Sequence, residues 1–407
     1  MPTLDRLDGL CELSEPGDSD TVDGVAPSVV ARPADAEETS TLLRACTEQG
    51  LAVVVRGNGS KLAWGRPPER LDVLLDTTRM DQLVEHSRGD LIATAGAGMP
   101  LGRLAATLAE GRHQLVVDDL TGSSTLGGAV ATNLAGPRRM WVGSTRDVVI
   151  GVRFVRADGT VAKAGGKVVK NVAGYDLSKL LTGSFGTLAV ITEVTVRLHP
   201  VPPATLWVGL STTQDRLADV LGGLVANQLV PHAVEVHVGP DEDPTVVALV
   251  SGTEAGAAAR AEAMAAELGT DAWVAEEAPS WWGRLPVTED EARPVLLRTT
   301  ARLSGIPELV RELAAHGATV SGSAGAGVLH AALPVVGDAQ SAALAVESVR
   351  RLSTGLGGST VVLDADPATK PSLDTWGPVP ALDLMRRVKA EFDPDRILAP
   401  GRFVGGL

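Results

Sequence analysis

Residues 120–147 read L-T-G-S-S-T-L-G-G-A-V-A-T-N-L-A-G-P-R-R-M-W-V-G-S-T-R-D, and residues 170–194 read K-N-V-A-G-Y-D-L-S-K-L-L-T-G-S-F-G-T-L-A-V-I-T-E-V. Residues 121–200 hold twelve glycines and ten Lys or Arg against four Asp or Glu, a surplus of +6 in a chain of net charge −14. Glycine lets backbone N–H groups approach a ligand closely, and such amides can line a phosphate. A glycine-rich, cationic island in an acidic protein points to a bound anion.

Upstream, the apolar run L51-A-V-V-V55 reads as a buried strand and feeds directly into Arg56-Gly57-Asn58-Gly59-Ser60-Lys61. This loop presents consecutive amides, a hydroxyl at Ser60 and the charges of Arg56 and Lys61. It has neither the Walker spacing nor G-x-G-x-x-G. Gly96-Ala97-Gly98 carries Leu101 where a dinucleotide fingerprint needs its third glycine, and reads as a structural turn. In Thr121–Gly128, the pair Gly127 and Gly128 opens a short helix over 128–134, where free N–H groups would face an anion. Singly, each loop also fits an ordinary turn; together, with the charge surplus, they point to one site. Asp176 reads as the N-cap of a helix over 177–181. Tyr175 fits either an apolar pocket wall or the core.

The chain has 407 residues, 44% hydrophobic and 21% charged, enough for two domains with sizeable cores. Its acidity argues against nucleic-acid binding. Two cysteines, Cys11 and Cys46, cannot hold an iron–sulfur cluster, and no Cys or His spacing suggests a metal site. His237 and His330 fall in strand patterns and read as strand residues. The first residues lack a secretory pattern, and no apolar run reaches eighteen residues, so no membrane span is expected. The expected compartment is the cytoplasm, with peripheral association at the inner membrane through partners left open.

The expected organisation is an irregular arm over 1–24, a first domain over 25–203, and a break at Pro200, Pro202 and Pro203. An α+β domain with a largely antiparallel sheet follows over 204–365. A connector and final helix occupy 366–407.

The motifs R-G-x-G-S-K, L-G-G-x-x-A-T-N, G-S-x-R-D, K-N-V-A-G-Y-D-L and G-S-F-G-x-L-x-V-I-T-E resemble the FAD-binding domain of the vanillyl-alcohol-oxidase/p-cresol-methylhydroxylase (PCMH) family. Within that family, A-G-P-R-R-x-W-x-G-S-x-R-D and K-N-V-A-G-Y-D-L are similar to the FAD-binding E-subunit type of glycolate oxidase. The likeness is strongest over 25–200 and includes F-D-P-x-x-I-x-x-P-G-R near the C-terminus. It implies an α+β fold with a two-part PCMH-type FAD domain and an α+β cap.

It also implies that Arg56, Gly57, Asn58, Gly59, Ser60 and Lys61 clasp the FAD pyrophosphate with Thr121, Gly122, Ser123, Thr125, Leu126, Gly127 and Gly128. Asn133, Gly136, Gly143, Ser144 and Asp147 would line the ribityl and flavin side. Gly174, Tyr175, Asp176, Gly183, Gly186 and Ile191 would run toward the adenine. Neither loop offers His or Cys for a covalent tether, so non-covalent FAD is expected. The implied activity is oxidation of a small 2-hydroxy acid, with electrons leaving to an iron–sulfur subunit and a second FAD-binding subunit as a further partner. A substrate carboxylate needs a cation. Arg138, Arg139 and Lys170 are candidates, with phosphate contacts or plain surface charge as the alternatives. Two departures bear on catalysis: G325-A-G-V-L-H330 stands where related dehydrogenases have a Gly-Asp-Gly-Asn-type segment, and Ala399 stands where an Asn is usual. A relay subunit that binds FAD without turning over substrate, and a stand-alone alcohol oxidase, are the competing expectations.

Overall fold

A computed structural model describes residues 6–166, 175–287 and 293–407. The chain forms two compact units. The first comprises residues 1–134, 144–200 and 378–407, and the second comprises 135–143 and 201–377.

The first unit opens with β1 (Glu12–Ser14), β2 (Val29–Arg32), α1 (Ala36–Gln49), β3 (Val53–Arg56) and β4 (Val73–Asp76). These strands form a sheet ordered β1-β2-β4-β3, with β2 and β3 both parallel to β4. A parallel pair needs a crossover, and α1 supplies it between β2 and β3. Asp35 caps α1 by accepting from Glu37 N and Glu38 N, and Gly50 ends it with φ 64°. Leu42, Leu43 and Cys46 are its fully buried face. The stretch 1–24, expected as an irregular arm, instead supplies β1, the buried Leu7 and the buried Asp20.

Next come β5 (Leu83–Ser87), β6 (Ile92–Gly96), α2 (Leu101–Glu110), β7 (His113–Gln114) and α3 (Leu126–Thr132). Residues 135–143 then join the second unit and carry α4 (Arg139–Val142). The first unit resumes with α5 (Thr145–Val148), β8 (Val149–Val155), β9 (Val161–Gly165), α6 (Leu177–Leu181), β10 (Val190–Arg197) and β11 (His199–Pro200). Its second sheet is ordered β5-β6-β10-β8-β9 and is antiparallel throughout. Asp176 caps α6 through Ser178 N.

The second unit is built on an eight-stranded sheet. Its elements are β12 (Ala204–Ser211), α7 (Leu217–Val225), β13 (Ala233–Val238), β14 (Thr245–Gly252), α8 (Glu254–Leu268), β15 (Trp273–Ala275), β16 (Val295–Thr300), α9 (Ile306–Ala315), β17 (Thr319–Ser323), β18 (Val328–Leu333), α10 (Ala339–Gly355) and β19 (Thr360–Asp364). The order β15-β12-β14-β13-β17-β18-β16-β19 is antiparallel at every pairing. Alternate residues such as Val236, Val320, Leu329 and Leu297 enter one apolar core with the buried sides of α7–α10. The strand–helix alternation after Thr205 is therefore an α+β domain, as its sequence pattern predicts.

The chain ends in the first unit with α11 (Leu382–Phe392) and the segment 393–407. Val53 N donates to Ile397 O at 2.7 Å and Ala399 N to Val53 O at 2.8 Å, so this segment docks beside β3. Lys389 locks it from within. Its Nζ reaches Asp393 Oδ2 at 2.6 Å, Thr187 O at 2.7 Å and Leu398 O at 2.9 Å.

Candidate functional site

Strand β3 ends in the loop Gly57–Lys61, which lines a cavity of the first unit. Among the described residues, no acceptor takes the backbone N–H groups of Gly57, Asn58, Gly59, Ser60 or Lys61. Backbone donors normally find partners in a folded chain. Five in succession, on a cavity wall, form a cradle for an anion. Gly59 turns the loop with φ 80°. Gly57 is required by proximity, because a Cβ there would meet Thr125 Oγ1 at 2.3 Å.

Lys61 places a cation in this cradle. Its Nζ donates to Ser124 Oγ at 2.7 Å and Ser60 Oγ at 3.0 Å. Burial pushes its pKa down to about 8, against the opposing pull of Asp119. Asp119 organises the facing loop. Its carboxylate accepts from Ser124 N at 2.8 Å, Ser124 Oγ at 2.6 Å, Thr121 N at 3.2 Å and Thr121 Oγ1 at 3.0 Å. Burial alone would raise the Asp119 pKa, but these hydrogen bonds hold it below the usual carboxylate range. Asp119 thus fixes Ser124, and Ser124 orients Lys61.

The cavity also takes Thr125, Gly127, Gly128, Ala131, Thr132, Phe185, Gly186, Ala189, Ile191 and Arg402 into its lining. Gly183 N donates to Val130 O and Phe185 N to Ala131 O, both at 2.9 Å, which seats the 183–186 turn on α3. Arg402 is buried and donates to Leu62 O, and to Trp64 O at 2.7 Å, so the C-terminal segment clamps the chain just beyond Lys61. Burial lowers its guanidinium pKa to about 10, while Asp23 works against the shift.

Three expectations need correction. Arg56 is not an available charge: it pairs with Asp20, and with Asp76 at 2.8 Å, and so closes the base of the loop. The first amides of α3 are not free. Leu126 N donates to Met99 O and Gly127 N to Ala97 O, both at 2.8 Å, and Gly128 N caps onto Thr125 Oγ1 at 3.2 Å. The donors come from the β3 loop instead. Tyr175 is 96% exposed, so it is not a core residue.

The remaining expected residues are spread more widely. Gly122 and Ser123 lie on the outer turn of the Asp119 loop and, like Thr121, are absent from the cavity lining; Leu126 is fully buried in the core. Asn133 ends α3 with φ 51°, and its Oδ1 accepts from Arg146 N at 3.2 Å. Ser144 and Asp147 form the capping box of α5. Asp176 caps α6, and Gly183 turns with φ 83°. Gly136, Arg138, Arg139 and Gly143 belong to the second unit. Lys170 and Gly174 lie outside the described residues. Asp119, Ser124 and Arg402 were missed from sequence. The D-x-T spacing of Asp119 and Thr121 is the one local signal for the first.

Residues 27–165 match the FAD binding domain family, and residues 370–403 match the C-terminal domain of FAD linked oxidases. The D-lactate dehydrogenase of Archaeoglobus fulgidus is 35% identical over 248 residues, 58% of this chain and 55% of that protein. Glycolate oxidase subunit GlcD of Bacillus subtilis is 34% identical over 212 residues, 51% of this chain and 45% of that protein. Glycolate oxidase subunit GlcE of Escherichia coli is 40% identical over 156 residues, 38% of this chain and 44% of that protein. The chain thus spans about half the length of these curated relatives. The crystal structure of p-cresol methylhydroxylase with substrate bound superposes over 98% of this chain and 95% of that one, with TM-score 0.73 and 14% identity. That likeness establishes the fold, which is PCMH-type α+β. Residues 27–165 are a FAD-binding domain, and FAD is the cofactor. No helix among the described residues is long and apolar enough to cross a membrane.

Proposed function

We propose that this chain is the FAD-binding subunit of an oxidoreductase that acts on the CH–OH group of a small 2-hydroxy acid, of the glycolate oxidase E-subunit type. The observation that carries the reading is the cradle of five unpaired amides with Lys61 beside it. Gly57–Ser60 and Lys61 would hold the pyrophosphate, the amides donating to its oxygens and the ammonium balancing its charge. Thr125 and Gly128 complete the phosphate side, and Phe185, Gly186 and Ile191 offer an apolar wall. Asp119 holds Ser124, and through it Lys61, in place before the ligand arrives, which lowers the cost of ordering. Bound FAD supplies two-electron oxidation of an alcohol carbon.

Residues 57–61 and 121–128 contain no His or Cys, which supports non-covalent attachment. With only two cysteines in the chain, electrons would leave through an iron–sulfur subunit, with a second flavoprotein subunit alongside. One observation favours a relay role as the second reading: among the described residues no group of three His, Cys, Asp or Glu side chains could hold a metal ion, and the 325–330 turn lacks Asp and Asn.

Anaerobic addition of glycolate or D-lactate to the purified holoprotein tests both readings. Bleaching of the flavin by the lone chain supports turnover here. Bleaching only after a sister subunit is added supports the relay. Acid precipitation that leaves flavin attached to a peptide would overturn non-covalent binding.

A further inference from the structure

The cavity that holds Lys61 has a further cation in its wall, and it comes from the far end of the chain. The backbone leaves the first unit at residue 200 and returns at 378. Its last segment is pinned on both sides of Arg402. Glu69 N donates to Pro400 O at 2.9 Å, Arg402 N to Ala399 O at 3.2 Å and Arg66 N to Arg402 O at 3.1 Å. Gly401 makes the turn with φ 83°, and a Cβ there would clash with Glu69 Cγ. The turn needs glycine both for its backbone angle and for this close approach. That framework delivers the Arg402 side chain to the cavity, which it lines together with Lys61.

Arg402 is only 6% exposed. Its Nη2 is spent on the backbone, donating to Leu62 O and, at 2.7 Å, to Trp64 O. A guanidinium carries five N–H donors, so three remain, on Nε and Nη1. Among the described residues these three meet no acceptor, and no carboxylate forms an ion pair with Arg402. The acids of the surrounding chain are engaged elsewhere. Asp20 and Asp76 pair with Arg56, Asp119 accepts from Thr121 and Ser124, and Glu69 lies 4.0 Å from Arg396. The Asp23 carboxylate reaches Arg402 by its field, without an ion pair. Burial lowers the guanidinium pKa to about 10 against that pull, so the group stays charged at neutral pH. A buried charge without a counter-ion is costly. Unlike Arg153 Nε and Arg156 Nε, the three donors are not sealed inside the protein, and the open space beside Arg402 is the cavity.

We infer that Arg402 is the second cation of the FAD pyrophosphate site, donating from Nε and Nη1 to phosphate oxygens while Nη2 keeps hold of Leu62 O and Trp64 O. The charges match. A pyrophosphate diester carries one negative charge on each phosphate; Lys61 balances one, and Arg402 balances the other. A guanidinium fork also fits a pair of phosphate oxygens, which a single ammonium does not. The bound cofactor would then tie the Gly57–Lys61 loop to the last segment of the chain, two parts of the site that lie far apart in sequence. Placing Arg402 on a phosphate rests on the pyrophosphate position proposed above.

Phosphorus NMR of the full-length holoprotein reads the bound pyrophosphate directly, and fluorescence titration of the apoprotein with FAD gives the affinity. Arg402→Met is expected to bind FAD roughly tenfold to a hundredfold more weakly, the range for a lost charge-assisted hydrogen bond. Its phosphorus signals should shift, while the flavin absorbance spectrum keeps its wild-type shape. Arg402→Lys keeps the charge but not the fork. Its affinity should fall between, its phosphorus signals should also move, and it serves if the methionine variant fails to fold. Weaker FAD binding with unmoved phosphorus signals would make Arg402 a brace for the C-terminal segment and overturn the inference, as would wild-type affinity in both variants. Lys61→Met separates this inference from the reading beneath it. A Lys61→Met protein with shifted phosphorus signals, beside silent Arg402 variants, overturns the role of Arg402 alone. Silence of Lys61→Met and of both Arg402 variants overturns the pyrophosphate placement itself.

Discussion

Replacing Gly57 by alanine tests whether the two loops are held in contact as described. A Cβ at position 57 would lie 2.3 Å from Thr125 Oγ1, 3.1 Å from Thr125 Cγ2 and 3.2 Å from Thr125 Cβ. Gly57 is not among the positive-φ glycines, so its backbone accepts alanine and the cost is steric. Thr125 is buried, and its Oγ1 is the N-cap of α3, so moving the side chain aside also breaks the bond from Gly128 N. Losing such a cap costs about 1 kcal/mol, and overpacking adds about 1–3 kcal/mol. The expected loss for Gly57→Ala in the apoprotein is therefore about 2–4 kcal/mol, read from urea unfolding. Thr125→Ala removes the two closest atoms, Oγ1 and Cγ2, and costs chiefly the cap, about 1 kcal/mol. The double variant should unfold close to Thr125→Ala alone, a coupling of about 2–4 kcal/mol. Additive losses, or a Gly57→Ala protein as stable as wild type, would refute the close contact and with it the shape of the cradle.

Four further outcomes are expected. Lys61 titrates near 8 in the free protein because of burial, and a bound pyrophosphate would keep it protonated, so binding takes up a proton above that pH. FAD affinity should fall as pH rises through 8, by up to tenfold per unit; in fluorescence titrations, Lys61→Met should abolish the slope and weaken binding at neutral pH by roughly tenfold to a hundredfold. The free protein should change the other way, gaining stability between pH 8 and 10.5, where the folded state has released the Lys61 proton and the unfolded chain still holds it. Asp393→Ala strands the buried Lys389 ammonium and should destabilise by about 3–5 kcal/mol in urea unfolding, with much of the loss recovered by adding Lys389→Met. Burial raises the thiol pKa of Cys46 to about 12 and of Cys11 to about 11, so a thiol-reactive dye at pH 8 should label neither quickly until the protein unfolds.

What the sequence made legible is what short-range chemistry dictates. The Asp35 and Asp176 caps, the Gly50 stop and the strand running into Gly57–Lys61 depend on neighbours within a few residues, and local signals reported them. The partners that decide which charges are available lie far off in the chain. Arg56 is consumed by Asp20 and Asp76, and Arg402 reaches Leu62 and Trp64 from the far end of the sequence. Arg298 meets His330 only through strand register. The cationic surplus of residues 121–200 shows the consequence. Arg153 pairs with Glu37 and Glu193, Arg156 with Asp158, and Lys179 donates to Arg146 O and Val149 O. Those three charges hold loops and strands together. The cation beside the loop amides is Lys61, outside the island, and once Arg56 is paired it is the one charge that the Gly57–Lys61 loop carries. A charge count over a stretch of sequence thus located the right domain for an indirect reason. The island's cations Arg153, Arg156 and Lys179 instead answer carboxylates and backbone carbonyls of that same domain. Neutralising Arg153 or Lys179 should therefore lower the stability of the domain while leaving the affinity of the folded fraction for FAD nearly unchanged, whereas Lys61→Met should do the reverse.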